Sequence, residues 1–563
     1  MYTLELIIEK PLLKKIFIVI FLFVFANAFT QNYRNGCVSS ADELATEVGI
    51  KILKEGGNAI DAAIGVGFAL AVVHPQAGNI GGGGFIVIQF IGGKNTSIDY
   101  REKAPLLASR DMYLDASGNV INELSTTGHL AAGVPGSVAG MLYALEKYGT
   151  MSRADVMKYA IDLAENGFVI SSHLASALNS FRSDFSKFPG SKNIFVKKFK
   201  GGDLLVQRDL ANTLKDIRDY GRDGFYKGRV ADLIVNEMKR GGGIISYKDL
   251  ENYNAVERDV IKGKYRGYDL ISMGPPASGG MCLFYLLNIV EMFDLAGTGF
   301  HSAGVIHLFA EAMRRVYADR SEFMGDADFV SVPVDILTSK NYAKKRLKDF
   351  DEYKASNSDN VKHGNAYYRE HLETTHYSVA DRWGNCVSVT TTLNDNFGCK
   401  LVVDGAGFLL NNEMDDFSSK PGAPNMYGLL GSEANSIAPN KRMLSSMTPT
   451  IVMKDGKPFL IVGSPGGGKI ITSVFQTIIN IIDYKMSLKD AIDSPRLHHQ
   501  WYPDYIQVES GVLDRNTRAQ LTQLGHKIKD IGDFGRIDAI IFNEDGSMSG
   551  HSDIRGYGKA MGF

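Results

Sequence analysis

The peptide bond between Glu373 and Thr374 joins two stretches of different character. Residues 354–367 are polar and hold few apolar anchors, which predicts an exposed, flexible linker. From Thr374 onward the residues alternate as a β-strand does. If this bond is cut, Thr374 gains an α-amino group with an unperturbed pKa of roughly 7.7–8.0 beside its own hydroxyl. One residue would then supply both nucleophile and base, although an ordinary strand start explains the same local pattern.

A glycine-rich loop is the second stretch that could carry chemistry. It runs from Gly463 through Gly466, Gly467 and Gly468 to Lys469, between an apolar strand and an apolar helix. The backbone N–H groups of such a loop can bind an oxyanion in acyl transfer or the phosphates of a nucleotide. A phosphate loop needs Ser or Thr after its lysine to hold magnesium, and Ile470 stands there. The sequence therefore favours an oxyanion hole and leaves a nucleotide binder as the alternative.

Helices are predicted at the start of the chain. Ser40 and Glu43 have the spacing of a capping box, which predicts a helix that Gly56-Gly57 ends. A second helix, rich in small residues, is predicted over residues 58–73.

Short strands and further helices complete the predicted elements. Strands are expected over residues 85–90 and 97–101, and a hairpin over 376–380 and 386–392. Residues 135–260 are predicted to be mainly helical. This order indicates an α/β or α+β protein whose sheets are covered by helices.

Long motifs in a fixed order resemble the γ-glutamyltransferases, a family of N-terminal-nucleophile hydrolases. One set begins with Thr374-Thr375-His376-Tyr377-Ser378-Val379 and continues through residues 384–385, 392–394, 410–417, 439–442, 444–447, 449–450, 463–467 and 495–501. A second set covers residues 54–59, 74–79 and 99–102. The resemblance implies an α+β fold, the four-layer αββα sandwich, built jointly by a large chain (29–373) and a small chain (374–563).

The resemblance also implies a role for each matched residue. Thr374 would attack the carbonyl of Glu373 in self-cleavage, and later a γ-glutamyl amide. Thr392 would orient Thr374, while Gly466 and Gly467 would form the oxyanion hole. The implied substrate contacts are Arg101, Ser445 and Ser446 for the α-carboxylate, and Asn394, Glu413 and Asp416 for the α-ammonium. Residues 421–432 match a lid loop, with Tyr427 near its tip.

The function implied is that of a self-processing γ-glutamyltransferase and glutathione hydrolase. Glutathione is the leading donor and glutamine a plausible one, and the acceptors are water, amino acids or peptides. The two chains would form a heterodimer after cleavage, without a cofactor or a metal, and His498-His499 is interpreted as structural. Three alternatives stay open: an acylase, a poly-γ-glutamate hydrolase, or an inactive, uncut homologue.

The N-terminus predicts export. Lys10, Lys14 and Lys15 precede an apolar run over residues 16–25, and Ala26-Asn27-Ala28 has the pattern of a cleavage site. We therefore expect a signal peptide over residues 1–28 and a periplasmic or secreted protein, with an uncleaved anchor as the alternative.

Charge and cysteine content exclude other classes of protein. The formal net charge of −2 gives no electrostatic argument for nucleic-acid binding. Four cysteines without a CxxC pair disfavour a zinc ribbon or a thioredoxin-type motif. A Cys386–Cys399 disulfide and buried free cysteines both remain open at this point.

Overall fold

The computed structural model describes residues 32–362 and 374–563. The predicted signal peptide and Glu373 lie outside these described residues. None of the helices within the described ranges combines the length and the apolar character needed to cross a membrane.

Two antiparallel sheets form the centre of the molecule. One has seven strands in the order β18-β1-β9-β10-β2-β3-β6, and the other has six in the order β17-β16-β12-β11-β8-β7. The strands, numbered in chain order, are β1 (Gly36–Ser40), β2 (Gly83–Gln89), β3 (Asn95–Asp99), β4 (Phe168–Val169), β5 (Leu204–Leu205), β6 (Val256–Arg258), β7 (Ile261–Tyr265), β8 (Tyr268–Ser272), β9 (Thr375–Asp381), β10 (Cys386–Thr392), β11 (Thr450–Lys454), β12 (Lys457–Gly463), β13 (Leu497–His498), β14 (Ile506–Val508), β15 (Ile528–Asp530), β16 (Asp538–Phe542), β17 (Met548–Ser552) and β18 (Lys559–Gly562).

Helices cover the outer faces of both sheets. In chain order they are α1 (Glu43–Lys54), α2 (Ala59–Val73), α3 (Asn122–Thr126), α4 (Ser137–Tyr148), α5 (Arg153–Asn166), α6 (Ser172–Ser180), α7 (Arg182–Phe185), α8 (Pro189–Phe195), α9 (Arg208–Tyr220), α10 (Asp223–Tyr226), α11 (Gly228–Gly241), α12 (Tyr247–Asn252), α13 (Gly279–Val290), α14 (Leu295–Thr298), α15 (Ala303–Phe323), α16 (Val334–Leu337), α17 (Lys340–Arg346), α18 (Lys469–Ile482), α19 (Leu488–Asp493) and α20 (Arg515–Gln523). Short 3₁₀ turns occur at His129–Ala131, Glu413–Asp416 and Glu433–Asn435.

Strand β2 shows how the layers are stacked. Phe85 and Val87 lie in the core between the two sheets, whereas Ile86 and Ile88 lie in the core beneath the first set of helices. Successive side chains of a strand point to opposite faces, so both faces of this sheet are buried. The sequence of a strand that is covered on both faces is a nearly continuous run of apolar residues, as in β2.

Strand β12 shows the same division in the six-stranded sheet. Ile461 faces the core between the sheets, while Leu460 and Val462 face helices α13, α15 and α18. Its neighbours β11 and β16 are both antiparallel to it. The glycine loop therefore follows an antiparallel strand, unlike the phosphate loop of a parallel nucleotide-binding sheet, so the geometry does not support the nucleotide-binding alternative.

The first two helices differ from prediction in how they begin. The side chain of Asp42, rather than Ser40, caps α1 by accepting from the backbone N–H of Leu44 at 2.9 Å. The predicted Ser40–Glu43 capping box is therefore wrong. A capping box does form one helix later, between Asn58 and Asp61 at the start of α2. Every residue of α2 is buried, in keeping with its small apolar side chains.

The predicted hairpin is present as β9 and β10. Strand β9 lies in the interior of its sheet, between β1 and β10. The four cysteines are buried and free, so the Cys386–Cys399 disulfide does not form. Thr375 pairs with Thr391, which places the preceding Thr374 across from Thr392 by continuation of the register.

The expected flexible linker is fixed to the protein over its first part. Ser358 and Val361 are buried, and the indole Nε1–H of buried Trp501 donates to both of their carbonyl oxygens at 3.0 Å. The Ser358 hydroxyl donates in return to the Trp501 carbonyl at 2.7 Å. The prediction of an exposed, flexible linker is therefore wrong for the anchored part of residues 354–362. Residues 363–367 lie outside the described chain.

Replacing Trp501 with phenylalanine tests this anchor. Trp501→Phe leaves two buried carbonyl oxygens without a donor and a gap beside the smaller ring, which together cost about 2–4 kcal/mol. We expect a lower midpoint of thermal unfolding, followed by circular dichroism. Trp383→Phe is the matched control, because Trp383 is 42% exposed and is the other tryptophan of the chain. Equal midpoints for the two variants would contradict the anchor.

Candidate active site

Thr374 lies at the entry to strand β9 and is buried, with 5% of its surface exposed. It lines two cavities, one on each side of the chain at this point. The first cavity is the site predicted from the sequence. Besides Thr374 it is lined by the predicted residues Arg101, Thr392, Asn394, Glu413, Asp416, Tyr427, Ser445, Ser446 and Gly467. Gly466 is adjacent in the loop but does not line it.

The end of β10 is held in place beside Thr374. The Thr392 hydroxyl accepts from the Asn394 backbone N–H at 2.7 Å, and the Thr392 carbonyl accepts from the Asn79 amide at 2.8 Å. These bonds leave the Thr392 hydroxyl proton for a further acceptor. Asn394 turns the chain with a φ of 77°, and its side-chain amide donates to the Asn412 carbonyl at 3.0 Å.

The glycine loop comes to the site from the other sheet, after β12. Gly466 and Gly467 have φ angles of 130° and 51°, which L side chains rarely adopt. A Cβ on Gly467 would lie 2.9 Å from the ring of Tyr427, so a side chain there would also push the lid away. Among the described residues, neither glycine N–H donates a hydrogen bond, so neither has an acceptor that an oxyanion would have to displace.

One guanidinium is surrounded by three carboxylates at the floor of the cavity. Arg101 is fully buried and makes ion pairs with Glu413 and, at 2.5 Å, with Asp416. Glu102 lies 3.6 Å from the same guanidinium. Both oxygens of Glu102 and one of Glu413 are buried and have no hydrogen-bond partner within the described part of the chain. Around this guanidinium there are therefore more acidic groups than basic ones.

This surplus of carboxylates changes their titration. Burial raises the pKa of Glu102 to about 8 against the opposing effect of Arg101, and it raises that of Glu413 well above its ordinary value. The pKa of Asp416 is also raised by burial, again opposed by Arg101. Protons are thus held at the site near neutrality, and a bound ammonium group could take their place as the counter-charge.

Two serines form the opposite wall. The Ser445 carbonyl accepts from both the backbone N–H and the hydroxyl of Ser278 at 2.7 Å, which fixes the segment against the start of α13. The Ser446 hydroxyl accepts from Arg320 at 2.8 Å, so its proton is free to be donated elsewhere. Arg320 is 3% exposed and also donates to the Ser278 hydroxyl at 2.9 Å.

The lid loop is closed over the cavity. The Tyr427 hydroxyl donates to the Asn394 carbonyl, and the ring is 3% exposed. Asn425, two residues earlier, donates to Asp416 at 2.8 Å, and the Met426 N–H donates to Asp415 at 2.7 Å. The lid is therefore tied to the acidic segment that it covers.

The histidines predicted to be structural are engaged in hydrogen bonds. His498 contacts the Thr472 hydroxyl at 2.9 Å and the Gln500 side chain at 2.8 Å. His499 contacts Asp504 at 3.4 Å. Burial lowers the pKa of His499 to about 4, so its ring is neutral near pH 7.

One other cluster has the residue types of a metal site: His307, Glu311 and His526. The ring nitrogens of the two histidines are 2.7 Å apart, a hydrogen-bond distance. Two nitrogens bound to one tetrahedral zinc ion would be about 3.3 Å apart. The Glu311 oxygens already accept from Arg315 at 2.6 Å and from the Ser356 N–H at 3.0 Å. We therefore interpret the three residues as structural, since their hydrogen bonds hold the chain segment before residue 362 in place.

Comparison with known proteins agrees with this geometry. The family described as gamma-glutamyltranspeptidase matches residues 45–563. The chain belongs to the γ-glutamyltranspeptidase family. The glutathione hydrolase proenzyme of Escherichia coli is 50% identical over 526 residues, which cover 93% of this chain and 90% of that protein.

Solved structures confirm the fold expected of the transpeptidase family. The γ-glutamyltranspeptidase of Helicobacter pylori matches with a TM-score of 0.57 and 53% identity, over 57% of this chain and 94% of that chain. A cephalosporin acylase from Bacillus halodurans matches with a TM-score of 0.83 and 26% identity, over 94% of this chain and 96% of that chain. Together with the layered cores, these matches confirm the αββα sandwich of the N-terminal-nucleophile hydrolases.

Several residues of the transpeptidase site were not predicted from the sequence. Glu102 adjoins Arg101 in the chain, and its place in the Asp99–Glu102 motif was the available signal. Arg320 lies on α15 among buried residues, where a charged side chain marks an unusual position. Asp415 and Asn425 make hydrogen bonds that hold the lid. No sequence pattern distinguished either residue from its neighbours.

The raised pKa of Glu102 predicts how stability depends on pH. Between about pH 4.3, where an unfolded glutamate titrates, and about pH 8 the folded protein holds a proton that the unfolded chain releases. This contribution to stability is fully present below that window and is lost as the pH rises through it.

Glu102→Gln removes this titration. We expect its midpoint of thermal unfolding to fall less than that of the wild type between pH 5 and pH 8, without ligand. Glu123→Gln is the control, since Glu123 is an exposed glutamate. Parallel curves for wild type and Glu102→Gln would show that the buried carboxyl does not titrate as described.

Proposed function

We propose that the protein is a self-processing γ-glutamyltransferase and glutathione hydrolase that uses Thr374 as its nucleophile. The observation that carries this proposal is the placement of Thr374, at the entry to an interior strand, beside a cavity with both signs of charge. Glutathione hydrolase proenzymes at 41–50% identity over most of the chain support the same activity. The protein is therefore an enzyme of this class.

The first proposed reaction is the cut between Glu373 and Thr374. The Thr374 hydroxyl attacks the carbonyl carbon of Glu373, forming an ester as the C–N bond breaks and the nitrogen takes a proton. Water then hydrolyses the ester, which releases the Glu373 carboxylate and regenerates the Thr374 hydroxyl beside the new amine. The products are a large chain ending at residue 373 and a small chain beginning at residue 374, and the relatives' name "proenzyme" supports such processing.

The second reaction uses the new N-terminus. The α-amine of Thr374 accepts the proton of its own hydroxyl while the oxygen attacks the γ-carbonyl of the donor. The developing oxyanion receives hydrogen bonds from the N–H groups of Gly466 and Gly467. The donor C–N bond breaks, the amine leaves with a proton, and a γ-glutamyl ester remains on Thr374. Thr392, across the hairpin, orients the nucleophile.

In this proposal, the charged and hydroxyl groups around Arg101 select the γ-glutamyl group of the donor. The donor's α-carboxylate joins the Arg101 guanidinium and accepts the free protons of the Ser445 and Ser446 hydroxyls. Its α-ammonium lies among the oxygens of Asn394, Glu413 and Asp416. The zwitterion thus inserts into an existing ion pair: its carboxylate joins the guanidinium, its ammonium joins the carboxylates, and the net charge of the site does not change.

Two alternative activities would use the same nucleophile but a different donor. An acylase for glutaryl side chains would have no ammonium group to match the three carboxylates around Arg101. A poly-γ-glutamate hydrolase could present a free glutamyl end, so it differs in the size of the donor rather than in the head group. The charge balance favours a free γ-glutamyl group, with water, amino acids or peptides as acceptors.

We also propose that the protein is exported. The basic, apolar and small-residue pattern of residues 10–28 supports a cleaved signal peptide and a periplasmic or secreted location. The large chain would then span residues 29–373 and the small chain 374–563.

Mass spectrometry of threonine variants tests the nucleophile. Thr374→Ala should stay a single chain and release no glutamate from glutathione, because no hydroxyl remains to attack Glu373. Thr375→Val is the matched control: the adjacent hydroxyl is buried and has no hydrogen-bond partner among residues 32–362 and 374–563, and valine has nearly the same shape. We expect Thr375→Val to be cut. A cut Thr374→Ala protein would exclude the proposed self-cleavage.

A pair of anilides tests recognition of the ammonium group. γ-Glutamyl-p-nitroanilide should react with a kcat/KM about 100-fold or more above that of glutaryl-p-nitroanilide, because loss of the amine leaves buried carboxylates unpaired. Asp416→Asn should lower kcat/KM for the first substrate and bring the two close together. The glutaryl compound, which lacks only the amine, is the control. Equal turnover of both substrates by the wild type would favour the acylase alternative.

A further inference from the structure

Arg320 differs from the other buried arginines in having no ion pair. The structure describes six arginines with 3% or less of their surface exposed. Five of them make ion pairs with carboxylates: Arg101, Arg314, Arg315, Arg442 and Arg496. Among the described residues, Arg320 makes none. A buried cation without a counter-ion is unfavourable, so this position is unusual within the fold.

The charge of Arg320 is permanent. The residue lies in the last turn of α15, and the C-terminal end of a helix favours a positive charge, which offsets part of the cost of burial. Burial nevertheless lowers the pKa of Arg320. An arginine in a protein does not lose its proton even so, and the guanidinium therefore remains a cation at the pH of the reaction.

The guanidinium of Arg320 is directed at the two serines of the substrate cavity. Its Nη2 donates to the Ser446 hydroxyl at 2.8 Å, and its Nε donates to the Ser278 hydroxyl at 2.9 Å. The Ser278 hydroxyl donates in turn to the Ser445 carbonyl at 2.7 Å. Ser445 and Ser446 line the cavity, whereas Arg320 does not. Arg320 therefore reaches the cavity through these serines rather than by direct contact.

The bond from Arg320 fixes the direction of the Ser446 hydroxyl. Because the Ser446 oxygen accepts from a cation, its own proton must point to another acceptor. Within the described part of the chain this proton has no acceptor, although the residue is only 7% exposed. Accepting from a cation also polarises the O–H bond and makes it a stronger donor. The hydroxyl is thus arranged to donate to an anion in the cavity.

The same helix also contacts the glycine loop. The Tyr317 hydroxyl donates to the Gly468 carbonyl, and Tyr317 is 2% exposed. Residues three positions apart lie on one face of a helix, so Tyr317 and Arg320 are neighbours on α15. This face of α15 therefore holds the serines in a fixed position relative to the loop that contains the proposed oxyanion donors.

We propose that Arg320 is a positioning residue that makes the enzyme selective for donors with an α-carboxylate. It acts through Ser446, whose hydroxyl it holds as a donor to that carboxylate. Arg101 is already paired with Glu413 and Asp416, so the donor's carboxylate is available as the counter-ion of Arg320 as well. The proposal rests on the function given above and adds the group that sets its selectivity for the donor.

The test compares two donors that differ by one carboxylate. γ-Glutamyl-p-nitroanilide has it, whereas 4-aminobutyryl-p-nitroanilide lacks it and keeps the amine. We measure kcat/KM for both, the slower donor at high enzyme concentration, and take their ratio. This ratio does not depend on how much of a preparation is folded or cut. The wild type should favour the γ-glutamyl donor about 100-fold or more, because the other donor leaves buried polar groups of the site unpaired.

Arg320→Met should lower this ratio about 10-fold, the size expected for a charge-assisted hydrogen bond. The loss should appear in KM rather than kcat, because the carboxylate is remote from the reacting carbonyl and is bound alike before and during the reaction. Arg314→Met is the matched control and should keep the wild-type ratio. Arg314 is a buried arginine of the same helix, and its partners Glu311 and Asp504 do not line the cavity.

Two further variants test the proposal even if Arg320→Met does not fold. Ser278→Ala removes one acceptor of Arg320 without removing a buried charge, and it should lower the ratio by a smaller factor. Ser446→Ala should lower the ratio as Arg320→Met does. The double variant should then be little worse than Ser446→Ala alone, because the two residues act as one unit.

The outcomes separate this proposal from the proposed function. If Arg320→Met slows both donors equally, the residue is merely structural and the proposal is overturned. If it instead lowers the preference for γ-glutamyl- over glutaryl-p-nitroanilide alone, Arg320 acts on the ammonium side of the site, and the proposal is equally wrong. Additive effects of Arg320→Met and Ser446→Ala would also contradict it. If the wild type releases no p-nitroaniline from the γ-glutamyl donor, the proposed function itself fails.

Discussion

The site depends on one constraint: the nucleophile must be buried in the middle of a sheet and still have a free amine. In the proposed mechanism Thr374 meets both conditions, because it directly precedes the interior strand β9 and gains an amine when its bond to Glu373 is cut. The hairpin register brings Thr392 opposite, and the second sheet delivers the glycine loop from β12. The pair of sheets thus holds the proposed nucleophile and the proposed oxyanion donors on separate elements.

Electrostatics then decides which acyl group fits. A single arginine facing three carboxylates would be an unfavourable arrangement if it had to stay dry and ligand-free. Arg101 satisfies two of them directly, while Glu102 remains without hydrogen bonds. A zwitterionic ligand gives these carboxylates a cationic partner and gives the guanidinium a carboxylate of its own, without adding net charge. The site therefore holds its charges in an arrangement that becomes favourable when a zwitterion completes it.

Sequence patterns predicted what depends on neighbouring residues and ordered motifs. The hairpin was predicted from alternation and the cavity residues from the family resemblance. Of the predicted site residues that the structure describes, all except Gly466 line one cavity. The anchor of residues 354–362 was missed because its donor, Trp501, is far away in the chain. Arg320 was not predicted because helical periodicity can show that a position is buried, but not which residue a charged side chain at that position contacts. Asp42 replaced Ser40 as a cap because both residue types can serve, and only the local backbone decides.

The order of strands carries a consequence for the lifetime of the protein. In the seven-stranded sheet β9 and β10 lie between β1 and β2, and β18 lies beyond β1. A cut before Thr374 would leave strands of two separate molecules interleaved within one sheet. Once unfolded, these molecules would have to meet again in solution, so refolding would depend on concentration. Folding must therefore precede the cut, and the mature protein would rely on a slow rate of unfolding rather than on repeated refolding.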